Sequence, residues 1–505
     1  MSTFRLPGMV LASMVFASVL SAATSCESLA SLTLPDTTIT SAQSVAAGAF
    51  SAPGGRGDTS AAFKDLPAFC RVSATLKPSS DSDIKVEVWL PASGWNQKYQ
   101  AVGNGGWAGS ISYPALGQAL RAGYATSSTD TGHTVGNGSF ALGHPEKLVD
   151  FAWRSEHEMT LKSKALVAAF YGDAPRLSYW VGCSSGGKQG LKEAQRFPAD
   201  YDGIVAGAPV LNWTHRATAA MWVAHAALKE PASYIPPEKY PLVHKAAIEA
   251  CDATDGLKDG IIGDPARCRF DPKVLECKEG DGAACLTSAQ VEAVRKIYTP
   301  ATNPRSGEQL SARYEPGSEL GWRTLAGGPD PFFATDHFKF VVFKDPKWDW
   351  RTFNFDSDVA LTDKVDDGTI NATDPNLKAF TGHGGKLLMY QGYTDTNIAP
   401  GGVISYYETV MKTMGGEAKT AESARLFMAP GMNHCGGGEG PNTFDTVGAL
   451  EQWVEKGKAP ELLLASHSAD GKVDRTRPLC AYPQVAKYRG TGSIDDAANF
   501  SCKMP

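Results

Sequence analysis

Trp180-Val181-Gly182-Cys183-Ser184-Ser185-Gly186-Gly187, "WVGCSSGG", sits where a short apolar run, "SYWVGC", meets a stretch with helical character, "SGGKQGLKEAQRF". The segment Gly182 to Gly186 satisfies G-x-S-x-G between a predicted strand and a predicted helix. A serine on such a tight turn is held in a strained backbone and projects above a sheet, and the flanking glycines remove the side chains that would block strand, helix and substrate. The start of the helix also aims partial positive charge at any developing oxyanion. The bare pattern also fits a Gly/Ser turn with no chemistry, so the surrounding elements decide. Three nucleophiles stand side by side here: the Cys183 thiol and the Ser184 and Ser185 hydroxyls.

Outward from this turn the chain alternates strands with helices. Upstream, "IKVEVWLP" (84–91) alternates apolar and polar residues as a half-exposed strand does. A second strand runs into the glycine-rich turn "VGNGGWAG" (102–109), and "AGYATSSTDTGH" (122–133) reads as a strand ending in a polar loop. Apolar positions at helical spacing cover roughly 151–170. Downstream, "DGIVAGAP" (202–209), "KLLMYQG" (386–392) and "ARLFMAPG" (424–431) read as strands, with helices after Pro400 and over "TFDTVGALEQWVEKG". This alternation predicts an α/β fold with a parallel sheet covered on both faces. From about Leu211 to Thr373 the chain is instead rich in Trp, Pro, Asp and Gly, with weak strand signals. The catalytic domain is therefore expected over 24–210 and 374–505, interrupted by an insertion over 211–373.

Composition is that of a globular chain: 505 residues, 42% hydrophobic and 20% charged. A formal net charge of −6 argues against nucleic acid as a partner, because phosphate binding wants a basic surface. Arg5, an apolar run from about Met9 to Leu20 and small residues at Ser21, Ala22 and Ala23 have the layout of a secretory signal peptide over 1–23. The run is short for a bilayer span, and no later segment is long and apolar enough to cross a membrane. The expected location is the periplasm or the medium. Export favours oxidation of the ten cysteines. Cys26 and Cys70 bracket the mature N-terminal region; Cys251 and Cys268, Cys277 and Cys285, and Cys480 and Cys502 are neighbours in sequence. Cys183 and Cys435 then remain as a fifth pair by elimination, although spacing alone leaves the connectivity open.

A serine hydroxyl needs a base, and the base needs an orienting carboxylate, in the chain order Ser, Asp or Glu, His for this architecture. His434 lies in "MAPGMNHCGGG", just after a predicted strand; His383 precedes a strand, and His467 occupies a polar loop near the end. Asp395, in "YQGYTDTNIAP", follows the preceding strand. Ser184, Asp395 and His434 are thus the predicted triad. A Cys183–Cys435 bridge would tie the serine turn to the histidine loop and preorganise the site. That bridge, together with an oxidising compartment, counts against Cys183 as a thiolate nucleophile.

The pairs Cys183-Ser184 and His434-Cys435, with Asp395 between them in sequence, resemble the CS–D–HC arrangement of the tannase/feruloyl esterase family, which includes hydrolases of mono(hydroxyethyl) terephthalate. "GNGGWAG", "STDTGH", "GHPEKLVDFA", "FPADYDGIVAGAP", "PGSELGW" and "WDWRTFNFD" extend the likeness over nearly all of the mature chain. The resemblance implies an α/β-hydrolase core with a lid domain inserted between nucleophile and acid. It also implies an oxyanion hole of backbone amides, placed here at Ser185 and at Gly105 or Gly106. The loop "CDATDGLKDGIIGDPARC" gathers Asp252, Asp255, Asp259 and Asp264 between Cys251 and Cys268. Such a density of hard carboxylates suits calcium, although a solvated acidic loop is the plainer alternative and the spacing is not that of an EF-hand. The resemblance implies structural Ca2+ held by Asp252, Asp255 and Asp259 and the carbonyls of Leu257 and Ile261.

The expected activity is that of a serine esterase acting on small aromatic esters, hydroxycinnamates such as ferulate first, with plant cell-wall polysaccharide as one source. Gallate and terephthalate esters are the same chemistry on another aryl group. A non-catalytic ester-binding protein would be expected to carry a damaged triad. A metal hydrolase centred on the Asp252 loop would lose turnover promptly on chelation. Trp322, Phe332, Phe333, Trp348, Trp350 and Phe353 are candidate aromatic walls, with lid core as their commoner fate. Arg313, Arg323 and Arg351 are candidate cations for a free carboxylate on the substrate.

Overall fold

A computed structural model of the protein describes residues 24–53, 60–328, 331 and 335–505. The predicted signal peptide and the candidates Phe332 and Phe333 lie outside the described residues. Nine strands form one sheet: β1 (Thr37–Val45), β2 (Phe69–Leu76), β3 (Ile84–Pro91), β4 (Lys98–Val102), β5 (Ala125–Thr129), β6 (Leu177–Cys183), β7 (Gly203–Gly207), β8 (Lys386–Gly392) and β9 (Ala424–Ala429). Their spatial order is β1-β2-β3-β5-β4-β6-β7-β8-β9. From β5 to β9 every pairing is parallel, and β1, β2 and β3 extend the sheet from β5 in antiparallel fashion.

β6, β7, β8 and β9 are mostly apolar because both faces are covered, whereas the equally buried β5 reads "ATSST". Successive side chains point to opposite faces. Trp180, Ile204 and Leu387 therefore join one core, while their neighbours Tyr179, Val205 and Leu388 join the other. The first core is closed by the helices Ser155–Tyr171, Ser185–Arg196 and Pro400–Met414, through Leu166, Leu191 and Val403. The second is closed by Tyr113–Arg121 and Thr446–Lys456, through Leu116, Leu120, Leu450 and Trp453. Each of these fully buried large side chains contributes about 1.5–3 kcal/mol. This is an α/β-hydrolase fold.

The stretch between β7 and β8 holds no strand among the described residues. It folds as helices, chiefly Trp213–Ala227, Tyr240–Cys251, Ser288–Ile297 and Ser357–Asp366, around two cores of its own. Trp213–Ala227 serves both: Val223 and Ala227 pack with Tyr240, Tyr298 and Trp322, whereas Met221 and Ala224 pack with Phe338, Trp350 and Phe353. After the last helix come two hairpins, β10 (Leu462–Ala469) with β11 (Lys472–Cys480) and β12 (Val485–Tyr488) with β13 (Phe500–Lys503). All ten cysteines are paired: Cys26–Cys70, Cys183–Cys435, Cys251–Cys268, Cys277–Cys285 and Cys480–Cys502.

Candidate active site

Ser184 stands between β6 and the helix Ser185–Arg196 with φ 63° and ψ −123°, a conformation that costs a non-glycine residue about 1–3 kcal/mol. The surroundings enforce it. The Ser184 N–H donates to the Gly207 carbonyl at 2.9 Å, and the Ser184 carbonyl accepts from Val210 and Lys188 at 3.2 and 3.0 Å. A Cβ at Gly182 would fall 2.4 Å from the Gly186 carbonyl, and one at Gly103 would fall 2.5 Å from the Gly186 Cα. Both glycines are therefore the condition for the serine turn and the end of β4 to touch.

Asp395 lies in the loop after β8, with no exposed surface. Four donors reach its carboxylate. Oδ1 accepts from the Asn397 and Ile398 amides at 2.8 and 2.9 Å. Oδ2 accepts from Gln391 Nε2 at 2.9 Å and lies 2.8 Å from His434 Nδ1. With Nδ1 engaged, Nε2 is the ring atom left for a hydroxyl. The acid and histidine loops are also joined directly, the Thr394 N–H donating to the Met432 carbonyl at 3.1 Å and the Thr394 hydroxyl to Asn433 Oδ1 at 2.9 Å.

Ser184, Ser185, His434, Cys183 and Cys435 line one cavity of about 490 Å³, together with the glycine turn Gly103 to Trp107. The Cys183–Cys435 disulfide, with Cα atoms 6.0 Å apart, joins the residue before the serine to the residue after the histidine. Ser185 has a structural use for its hydroxyl, which donates to the Gly106 carbonyl at 2.6 Å. Gln189 and Asn104 are paired behind it at 2.8 Å. These bonds set the turn carrying Gly105 and Gly106 against the first amide of the helix Ser185–Arg196.

Residues 70–503 match the profile of the tannase and feruloyl esterase family. The chain belongs to that family. It is 40% identical to an uncharacterised esterase of Xanthomonas campestris pv. campestris, over 95% of this chain and 92% of the relative. It is 35% identical to a probable feruloyl esterase B-2 of Aspergillus terreus, over 86% of each. Among solved structures, feruloyl esterase B from Aspergillus oryzae superposes with a TM-score of 0.89 at 31% identity, covering 95% of this chain and 99% of that one. Tannin acyl hydrolase from Aspergillus niger shares the fold, with a TM-score of 0.78 at 23% identity over 94% and 93% of the two chains. As a member of this esterase family, the chain is a carboxylic ester hydrolase.

The aromatic walls of the cavity differ from those expected. They are Trp107, from the glycine turn, and Trp213, from the first turn of the insertion, with ring centroids 4.6 Å apart and nearly perpendicular. Trp322, Trp348, Trp350 and Phe353 do not line it; Trp322 has no exposed surface, and all four belong to or pack on the insertion's own cores. A helical insertion must bury its own apolar faces first, and that requirement takes up these rings. Nor do Arg313, Arg323 or Arg351 line the cavity. The cation at its edge is Arg216, whose Nε donates to the Asn397 carbonyl at 3.2 Å. Arg216 falls three residues after Trp213, on the same helical face. No motif marks Gln391, whose Nε2 reaches Asp395.

The insertion also grips the histidine loop. His244, on the helix Tyr240–Cys251, places Nδ1 2.9 Å from Glu319 and Nε2 2.8 Å from Glu439, five residues beyond His434. Burial opposes charging this ring, but the hydrogen bonds to Glu319 and Glu439 outweigh it and raise its pKa to about 9. A folded value above the unfolded one of about 6.5 means that this bridge stabilises fully below pH 6.5 and fades as pH rises through 9. The Tm gap between wild type and His244→Gln is therefore expected to be largest near pH 6 and to close above pH 9. A gap independent of pH would contradict the bridge.

The acidic loop is held largely by its own backbone. Asp252, which is buried, accepts from the Asp259 and Gly260 amides at 3.1 and 3.0 Å, Asp255 from Leu257 at 2.9 Å and Asp259 from Ile261 at 3.2 Å. Burial, then the charges of Asp259 and Asp252, push the Asp255 carboxyl up. Arg477 pairs with the other Asp259 oxygen at 2.8 Å. Three mutually repelling carboxylates fit calcium in kind. Their oxygens do not all lie within 4.8 Å of one another, so a coordination shell requires the loop to tighten.

Proposed function

We propose that this chain is an exported serine esterase that cleaves esters of hydroxycinnamic acids, ferulate foremost, through Ser184, His434 and Asp395. The observation that carries the reading is the shared cavity: a strained Ser184 and an Asp395-bound His434 line it together, fastened by one disulfide. His434 Nε2 takes the Ser184 proton as Oγ attacks the ester carbonyl. The oxyanion forms against the Ser185 amide and the amides of Gly105 or Gly106, and one such donor is worth roughly 3–4 kcal/mol. His434 then protonates the leaving alcohol. Water, activated by the same imidazole, releases the aromatic acid from the acyl-enzyme. Asp395 holds the tautomer and stabilises the imidazolium.

Trp107 and Trp213, nearly buried and packed edge to face, give the cavity an apolar aromatic wall suited to an aryl group, and the name feruloyl esterase carried by relatives supports hydroxycinnamates as the substrate class. The five disulfides suit an oxidising compartment, and no helix among the described residues is long and apolar enough to cross a membrane. In a comparison of methyl ferulate, methyl gallate and mono(hydroxyethyl) terephthalate, methyl ferulate should give the highest kcat/KM. A higher value for either competitor reassigns the substrate within the family.

The insertion is read as a lid, since it supplies Trp213 and Arg216 to the cavity, and its acidic loop as a structural Ca2+ site formed by Asp252, Asp255 and Asp259 with the Leu257 and Ile261 carbonyls. Chelation should lower Tm by several degrees while leaving the initial rate at 25 °C nearly unchanged. Immediate loss of turnover would instead place the metal in the chemistry.

A further inference from the structure

Behind the nucleophile, away from the cavity, three ligand-bearing side chains meet: His157 on the helix Ser155–Tyr171, Glu193 near the end of the helix Ser185–Arg196, and Asp200 in the loop that follows. One donor atom from each lies within 4.8 Å of the other two. We propose that His157, Glu193 and Asp200 form a binding site for a borderline divalent ion of the Zn2+ class, separate from the triad and from the acidic loop.

The independent pointer is Glu193. It is 1% exposed, no amide, hydroxyl or ammonium donor reaches either carboxylate oxygen, and its polar neighbour is the Asp200 carboxyl, with which it shares a hydrogen bond only as the protonated acid. Leaving a buried carboxylate without donors is costly. Its immediate surroundings make matters worse, since burial and then the charges of Asp200 and Glu156 drive its carboxyl well above the usual range. Lys164 is the nearby cation, but its ammonium donates to the Asp200 main-chain carbonyl rather than to Glu193. A divalent ion would displace the proton that Glu193 and Asp200 otherwise share and supply the positive charge this carboxylate pair lacks.

The remaining ligands are held in place. His157 Nδ1 sits 2.7 Å from Asp200 Oδ2, a hydrogen bond the ion would replace with release of its proton, and the Phe197 ring stacks on the imidazole at 3.6 Å. The backbone closes the same corner, with Phe197 N–H donating to the Glu193 carbonyl at 2.8 Å and Asp200 N–H to the Phe197 carbonyl at 2.9 Å. One imidazole nitrogen and two carboxylates are the donors Zn2+ takes at about 2.0–2.2 Å, and calcium prefers oxygen alone. Tetrahedral ligands then stand about 3.4 Å apart, so side-chain shifts of an ångström or less suffice. His157 is half-buried, so water can complete the shell on its side. Bound there, the ion would clamp the helix that begins at Ser185 to the helix that begins at Ser155.

The test is calorimetric titration of the full-length protein with ZnCl2 in excess Ca2+ at pH 7, alongside thermal melts. One equivalent of Zn2+ should bind and raise Tm. Glu193→Gln and His157→Gln should each weaken that site at least tenfold and abolish the Tm increase. Glutamine at 193 is isosteric and can hydrogen-bond to Asp200, so it should fold; His157→Gln, at a half-buried position, provides the second variant. Absence of binding to the wild type, or equal affinity in both variants, overturns the proposal and leaves Glu193 as a carboxylic acid sharing its proton with Asp200.

Discussion

Ser184→Ala is expected to lower kcat/KM for methyl ferulate by roughly 10⁴- to 10⁶-fold, since a triad nucleophile acts only in concert with its base. Tm should hardly move. Alanine keeps the Cβ, so the backbone at φ 63° carries the same strain, and the contacts that impose it are main-chain bonds to the Gly207 carbonyl and from the Val210 and Lys188 amides. Ser184→Gly makes the complementary case: equally inactive, but more stable by about 1 kcal/mol because glycine adopts this φ freely. Near-normal turnover by Ser184→Ala would remove Ser184 from the chemistry.

Opening the Cys183–Cys435 bridge has the second largest expected effect. The double substitution Cys183→Ser/Cys435→Ser releases a closure spanning 252 residues, and the chain-entropy model attaches about 5–6 kcal/mol to a loop of this length. The larger consequence is for rate. Ser184 and Cys435 both hold φ 63°, so the bridge connects two strained turns whose side chains face one cavity. Without it, kcat should fall at least tenfold with KM nearly unchanged, because positioning of the base is lost while the aryl walls at Trp107 and Trp213 remain. The control is Cys480→Ser/Cys502→Ser. That bridge closes 22 residues among the C-terminal hairpins and touches no triad residue, so it should cost stability and spare kcat. If both double variants lose Tm and neither loses kcat, the central bridge is a stability device only.

What the chain discloses before folding depends on how local the cause is. The serine turn is legible because its constraint is local: Gly182 and Gly186 are needed within four residues of the nucleophile. β6, β7, β8 and β9 are legible because strands covered on both faces read as apolar runs. β1 is not, since "TTITSAQSV" is an edge strand with no fully buried residue. The C-terminal hairpins also escape, their strands carrying the exposed Lys472 and Asp474 and the polar Arg475 and Arg477. The candidates for acid and base follow from order along the chain, but the aromatic lining of the cavity does not. Whether a tryptophan faces substrate or core depends on which insertion helices pack together, and that separates Trp213 from Trp322. Arg216 had an available sign, its three-residue offset from Trp213. The Gln391 contact with Asp395 had none, since it depends on the turn after β8 folding back on its own strand.

The most direct measurement of the central claim is trapping of the covalent intermediate. The purified enzyme is treated with a fluorophosphonate, or acid-quenched during turnover of methyl ferulate, and the modified peptide is sequenced by mass spectrometry. One adduct per chain on Ser184, absent from Ser184→Ala and suppressed in His434→Ala, is the predicted result. An adduct on Ser185, or full hydrolytic activity in enzyme that no serine reagent labels, would contradict it.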